Sequence, residues 1–162
     1  MAQIYVSIGS NINREQSIRA GIKELRELFG EVELSPVYES ISVGFEGDNF
    51  YNLAAGFTTS LSIEDLNRTL SDIEDRHGRD RSGPRFSSRT LDIDLLLYDK
   101  VVIETDCVLP RPEIYKNAFV LKPLADIAGN MNDPIKGDDY STLWNALEKT
   151  CTQELWTIAF EI

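Results

Sequence analysis

A chain of 162 residues with 42% apolar and 27% charged residues has the size and composition of one globular domain, so a single domain over residues 1–162 is expected, with no linker. A net charge of −11 argues against a general binder of nucleic acid or of anionic membrane. No apolar run reaches membrane-spanning length and the first residues lack a secretion signal, while Cys107 and Cys151 lack metal-ligand spacing, so reduced thiols in a cytoplasmic protein are expected.

In chain order, Gln3 to Ile8 reads as a strand with Ile4, Val6 and Ile8 on one face. Gly9-Ser10-Asn11 is expected to turn the chain. Asn13 and Gln16 have the spacing of a capping box, ahead of Ile18, Ile22, Leu25 and Phe29 at helical intervals and a stop at Gly30. Glu31 to Tyr38 reads as a second strand, placed at an edge by Pro36. A glycine-containing loop leads to a third strand, Phe50 to Thr59, in which Tyr51, Leu53, Ala55 and Phe57 share a face. Ser62, with Asp65 three residues on, caps a second helix whose core face is Leu66, Leu70 and Ile73 and whose end is Gly78. A fourth strand runs through Asp92 and Asp94. The order strand, helix, strand, strand, helix, strand is the ferredoxin-like split βαβ pattern: an α+β fold, an antiparallel sheet with two helices on one face. The C-terminal extension adds a short helix over 117–128, a helix over 140–150 with Leu143, Trp144 and Leu147 as its apolar stripe, and a strand within 153–160.

The chemistry concentrates in Arg89-Thr90-Leu91-Asp92-Ile93-Asp94-Leu95-Leu96-Leu97-Tyr98. By alternation Leu91, Ile93, Leu95 and Leu97 share one face, and Asp92, Asp94, Leu96 and Tyr98 the other. Two carboxylates about 7 Å apart by strand rise, in an otherwise apolar strand, call for a cation. Their oxygen donors suit a hard divalent ion, Mg²⁺ above all. Residues 76–89, just before them, hold five of the ten arginines of the chain. Arginines beside a metal-binding acid pair suggest a polyphosphate ligand.

Glu74, Gly78-Arg79-x-Arg81 and Arg85-Phe86-x-x-Arg89-Thr-Leu-Asp92-Ile-Asp94 together resemble the signature of the 6-hydroxymethyl-7,8-dihydropterin pyrophosphokinases. The resemblance runs from Ile4 to about Ala128. It implies a folate-pathway transferase that moves pyrophosphate from ATP to a pterin alcohol and releases AMP. It also implies two Mg²⁺ ions held by Asp92 and Asp94 against the ATP phosphates, with Arg79 and Arg89 as phosphate and transition-state contacts. Arg81 and Arg85 would belong to a loop that closes over ATP, with Glu74 and Arg111 also on the ATP side. Ser40, Ser42, Val43, Phe50, Asn52, Phe86 and Phe119 would form the pterin site. The small-molecule substrates are the implied partners, with no nucleic acid, membrane or protein partner.

The chain departs from the family pattern at four places. Ser40 to Gly44 is not proline-rich, Phe86 replaces the usual Trp, Arg111 the usual His between prolines, and Asn117 a usual Arg. Lys116 adjoins Asn117, and Arg111 with Asn117 relocates a positive charge. His77, ahead of a helix-ending glycine, reads as structural. Two rivals stand beside this reading. One is a paralogue with the same fold and Mg-ATP site acting on another alcohol. The other is a ferredoxin-like RNA-binding module, against which Asp92, Asp94 and the net charge weigh. No P-loop motif, nucleophile triad or zinc ligand set is present in the sequence.

Overall fold

The computed structural model describes residues 1–41, 48–78 and 90–162. Its sheet is built around β1 (Ala2–Ser10), whose Ile4, Val6 and Ile8 are fully buried. β4 (Phe50–Thr59) pairs antiparallel on one side of it and β5 (Asp92–Tyr98) on the other. β3 (Val37–Ser40) and the two-residue β2 (Glu33–Leu34) both pair with β4, and β6 (Leu155–Ile158) pairs with β3. The order is β5-β1-β4-β3-β6, with every pairing antiparallel. Its first four strands are in the order expected of the ferredoxin-like pattern.

α1 (Arg14–Phe29) and α2 (Ile63–Arg76) pack on one sheet face. Ile18, Ile22 and Leu25 from α1, with Leu66, Leu70 and Ile73 from α2, meet Ile4, Val6, Ile8, Leu53 and Phe57 there. Burying a side chain of this kind contributes about 1.5–3 kcal/mol. The second face is not open: α3 (Ala118–Ala128) and α4 (Tyr140–Glu148) cover it around Leu96, Leu97, Val120, Leu121, Leu124 and Tyr140. Two helices on one face therefore become two on each.

Four local expectations are corrected. Gly9 and Ser10 stay in β1, so the turn starts at Asn11. Asn13 sits in the left-handed region at φ 47 and its side chain caps nothing, so the capping-box spacing at α1 is not used, whereas Ser62 Oγ does accept from the Asp65 N–H at 3.2 Å. The segment 31–38 breaks at Ser35-Pro36 into β2 and β3, because proline has no N–H for the ladder. Ser35 bridges the break by exchanging bonds with Ala54, and β6 then covers β3, so that strand is not the sheet edge. Finally, the register of β5 against β1 shifts between Tyr5 and Val6, which leaves Leu96 unpaired. A bulge of this kind reverses the alternation beyond it. Leu97 therefore joins the α3–α4 core, and Tyr98 packs on the α1–α2 side.

The C-terminal extension is tied on by a buried carboxylate that periodicity does not reveal. Asp133 is 1% exposed and accepts from the hydroxyls of Tyr115 and Tyr140 and from the N–H groups of Ile135 and Lys136. Burial, and then the Asp133 carboxylate, push the Tyr140 hydroxyl pKa up. The Tyr38 hydroxyl donates to Asp126, which joins β3 to α3. Cys107 and Cys151 are free thiols, and no helix of the described residues is long and apolar enough to cross a membrane.

Candidate active site

Strand register places the candidate residues in one row. Gly9 on β1 stands opposite Asn52 on β4 and opposite Asp92 on β5. Two strand spacings therefore separate the Asn52 and Asp92 backbones, about 10 Å. Ser7 lies opposite Asp94. Since Ile8, Leu53 and Ile93 point to the α1–α2 core, Asn52, Gly9, Asp92 and Asp94 face the α3–α4 side. Ser40 and Phe50 are paired two residues along β3 and β4 from Asn52, on that same face.

Gly9 matters through what it lacks. A Cβ built there would lie 2.6 Å from Asn52 Oδ1, so the Asn52 amide occupies the space above Gly9. Asn52 is buried, and its Nδ2 donates to Ser40 Oγ at 3.3 Å. Sequence reading takes Gly9 for a turn residue. A glycine that faces a polar side chain on the neighbouring strand, 43 residues further along the chain, has no one-dimensional signature.

At the other end of the row, β5 pairs among the described residues only with β1, so alternate N–H groups of β5 look away from β1. Ile93 N–H donates to Glu74 Oε2 at 2.9 Å, which explains why a glutamate near the end of α2 is only 6% exposed. This contact brings a third carboxylate to the pair. One oxygen from each of Glu74, Asp92 and Asp94 lies within 4.8 Å of the others. Three carboxylates this close repel one another unless a cation joins them, and an all-oxygen set partly open to solvent fits Mg²⁺.

Arg111 comes to this cluster from the other side. Its Nη2 is 3.5 Å from Asp94 Oδ1, and its Nε is 2.7 Å from Glu113 Oε2. The closer contact is not aligned as a hydrogen bond, so it acts through charge. Burial disfavours the Arg111 cation, but Asp94, Glu113 and Asp92 outweigh it and raise its pKa above the ordinary arginine value. Asn117 has different company: its Oδ1 accepts from Gln153 Nε2 at 3.2 Å. The two positions where charge is relocated thus have separate partners. His77 contacts Glu24 at 2.8 Å, in keeping with a structural role.

Phe119, in the first turn of α3, shares a cavity of about 230 Å³ with Ser40. Ser42, Val43, Arg79, Arg81, Arg85, Phe86 and Arg89 lie outside the described residues, and so does the expected closing loop. What the described residues bring together is an acid cluster beside Arg111 and a polar and aromatic pocket, on one face of one sheet.

This layout is that of an enzyme able to hold a metal-bound polyphosphate at one end of a row and a small flat ligand at the other. Solved structures with this fold include a Plasmodium falciparum HPPK-DHPS wild type with pteroate, at TM-score 0.73 and 12% identity over 90% of this chain. Another is an HPPK-DHPS in complex with substrates, at TM-score 0.73 and 10% identity over 92% of this chain. This chain spans 42% and 44% of those longer chains. The model of the 7,8-dihydro-6-hydroxymethylpterin-pyrophosphokinase family matches residues 5–129, and the chain belongs to that family. The 2-amino-4-hydroxy-6-hydroxymethyldihydropteridine pyrophosphokinase of Bacillus subtilis is 37% identical over 128 residues, covering 76% of each chain. The enzyme of the same name from Aquifex aeolicus is 36% identical over 138 residues, 83% of this chain and 86% of that one.

Proposed function

We propose that this chain transfers a pyrophosphoryl group from ATP to 6-hydroxymethyl-7,8-dihydropterin, releasing AMP, as a cytoplasmic enzyme of folate biosynthesis. The observation that carries the reading is the placement of Glu74, Asp92 and Asp94 within 4.8 Å of one another, with Asp92 in the same strand row as Asn52, in a chain of this family. Asp92 and Asp94 would hold Mg²⁺, two ions by the family resemblance, and Glu74 completes the acidic wall. Bound there, Mg²⁺ would supply charge neutralisation for the triphosphate.

The remaining work falls to side chains of this protein. Asn52 offers a donor and an acceptor to the lactam edge of the pterin. Phe119 and Phe50 offer apolar ring surface beside Ser40, and by the family resemblance Phe86, Ser42 and Val43 belong to the same pterin site. Arg79, Arg81, Arg85 and Arg89 fork the phosphate oxygens, with Arg111 beside Asp94 adding charge on the same side. The substrate hydroxyl attacks the β-phosphorus as the bond to the AMP oxygen breaks, so no protein nucleophile is required. Rate comes from alignment and from fixed positive charge where negative charge moves. An RNA-reading sheet is disfavoured, since α3 and α4 cover the face that carries these residues.

Incubation with ATP, Mg²⁺ and the pterin alcohol tests the reading. AMP and pterin pyrophosphate should appear one for one. Equal turnover of unrelated alcohols in place of the pterin would favour the paralogue.

A further inference from the structure

The cavity between β3 and α3 has a wall from the end of the chain. Ser40 and Ile41 enter it from the end of β3 and Phe119 from α3, and Thr152, Gln153 and Leu155 close it. Its volume of about 230 Å³ is below the ~300–1,000 Å³ of drug-sized sites, a size for one small flat ring system.

Two sets of bonds fix this wall. At one end Leu155 pairs with Ser40 and Trp156 with Glu39 in the β3–β6 ladder. At the other, Gln153 spans the start of α3. Its Oε1 accepts from the Ala118 N–H at 2.6 Å, and its Nε2 donates to Asn117 Oδ1 at 3.2 Å. Asn117 does not cap α3 with its own side chain, so Gln153 satisfies a first-turn N–H that would otherwise lack a helical acceptor. The Gln153 N–H in turn donates to Cys151 Sγ at 3.4 Å. The segment is a strap from the sheet to the helix, and the elements it ties together carry Ser40 and Phe119.

We propose that residues 152–155 form a wall of the pterin site and that Gln153 is a positioning residue for pterin binding, setting the separation of Ser40 and Phe119. This rests on the pterin assignment above. The wall lies beyond residues 5–129, where the family model matches. The ligand class is a flat bicyclic lactam, whose ring fills the gap beside Phe119 and whose polar edge meets Ser40 and its partner Asn52.

The test is calorimetric titration of the full chain with 6-hydroxymethyl-7,8-dihydropterin, in the presence of Mg²⁺ and a non-hydrolysable ATP analogue, with nucleotide affinity and melting temperature measured alongside. Gln153→Ala removes both side-chain bonds to α3 and should weaken pterin binding about tenfold, with nucleotide affinity unchanged. Gln153→Glu keeps the acceptor for Ala118, and a flipped Asn117 amide restores the second bond, so affinity should return towards wild type. Thr152→Trp changes an exposed residue and fills the cavity without touching the anchor. It should weaken pterin binding at least as much and leave the melting temperature in place. Wild-type pterin affinity in both Gln153→Ala and Thr152→Trp overturns the proposal and leaves the pyrophosphokinase reading standing. Loss of nucleotide affinity and melting temperature along with pterin affinity, in both variants, also overturns it, since that marks a general structural role. A wild-type chain that binds the nucleotide but no pterin overturns both.

Discussion

Gly9→Ala is a substitution of one methyl group whose consequence follows from the strand row. The new Cβ would meet Asn52 Oδ1 at 2.6 Å, and the amide must retreat by about 0.8 Å to reach ordinary contact. The Asn52 bond to Ser40 is already 3.3 Å long, so a shift of that size remakes it, along with any pair of bonds that the amide makes to a pterin. The pair of hydrogen bonds to the pterin, at about 1 kcal/mol each, gives about 2 kcal/mol, or roughly 30-fold in pterin dissociation constant. Stability should move little, because alanine in a strand interior gains about 0.5–1 kcal/mol over glycine and so offsets part of the crowding. Titration with pterin and with the Mg²⁺-nucleotide analogue separates the effects: pterin affinity should fall and nucleotide affinity should hold. A Gly9→Ala protein that binds pterin as tightly as wild type would refute the placement of Asn52 in the pterin site.

Three further outcomes are expected. Asp92→Ala should leave the protein folded, while kcat/KM with Mg-ATP falls by about a thousandfold or more; retained activity would remove Asp92 from the site. Asp133→Ala strands the hydroxyls of Tyr115 and Tyr140, the latter on a fully buried residue, and should cost about 3–5 kcal/mol in urea unfolding, a loss that Asp133→Asn recovers in part. Burial acts against the Glu24 charge, but Arg76 and His77 prevail and hold its carboxyl below the ordinary 4.5. A depressed carboxyl stabilises the fold above its unfolded pKa and loses that contribution as pH falls through the folded one. Glu24→Gln should therefore lower the melting temperature at pH 7, and the difference from wild type should shrink as pH falls through the folded carboxyl's depressed pKa.

The local order of the fold was legible because each long element has a clean period. Ile18, Ile22 and Leu25 mark α1, Leu66, Leu70 and Ile73 mark α2, and the alternation of Leu53, Ala55 and Phe57 marks β4. Asp92 and Asp94 were legible as a pair because two acids in an apolar strand break its pattern. Partners supplied by another strand or helix were not legible. The bulge at Leu96 depends on how β5 meets β1, and no feature of 91–98 alone records it. The family resemblance puts Glu74 on the ATP side, but its bond to the Ile93 N–H depends on where α2 meets the β5 edge. Gly9 and Gln153 act through Asn52 and α3, respectively 43 and 35 residues away in sequence. The second helical layer escaped the pattern because α3 and α4 lie beyond the repeat that defines the ferredoxin-like core.

The most direct test follows the oxygen of the substrate alcohol. With 6-hydroxymethyl-7,8-dihydropterin carrying ¹⁸O in its hydroxyl group, ATP and Mg²⁺, phosphorus NMR and mass spectrometry should find the label wholly in pterin pyrophosphate, at the bridge between carbon and phosphorus, with unlabelled AMP formed in equal amount. ADP with a pterin monophosphate, or release of the label to water, would contradict attack of that hydroxyl on the β-phosphorus of ATP.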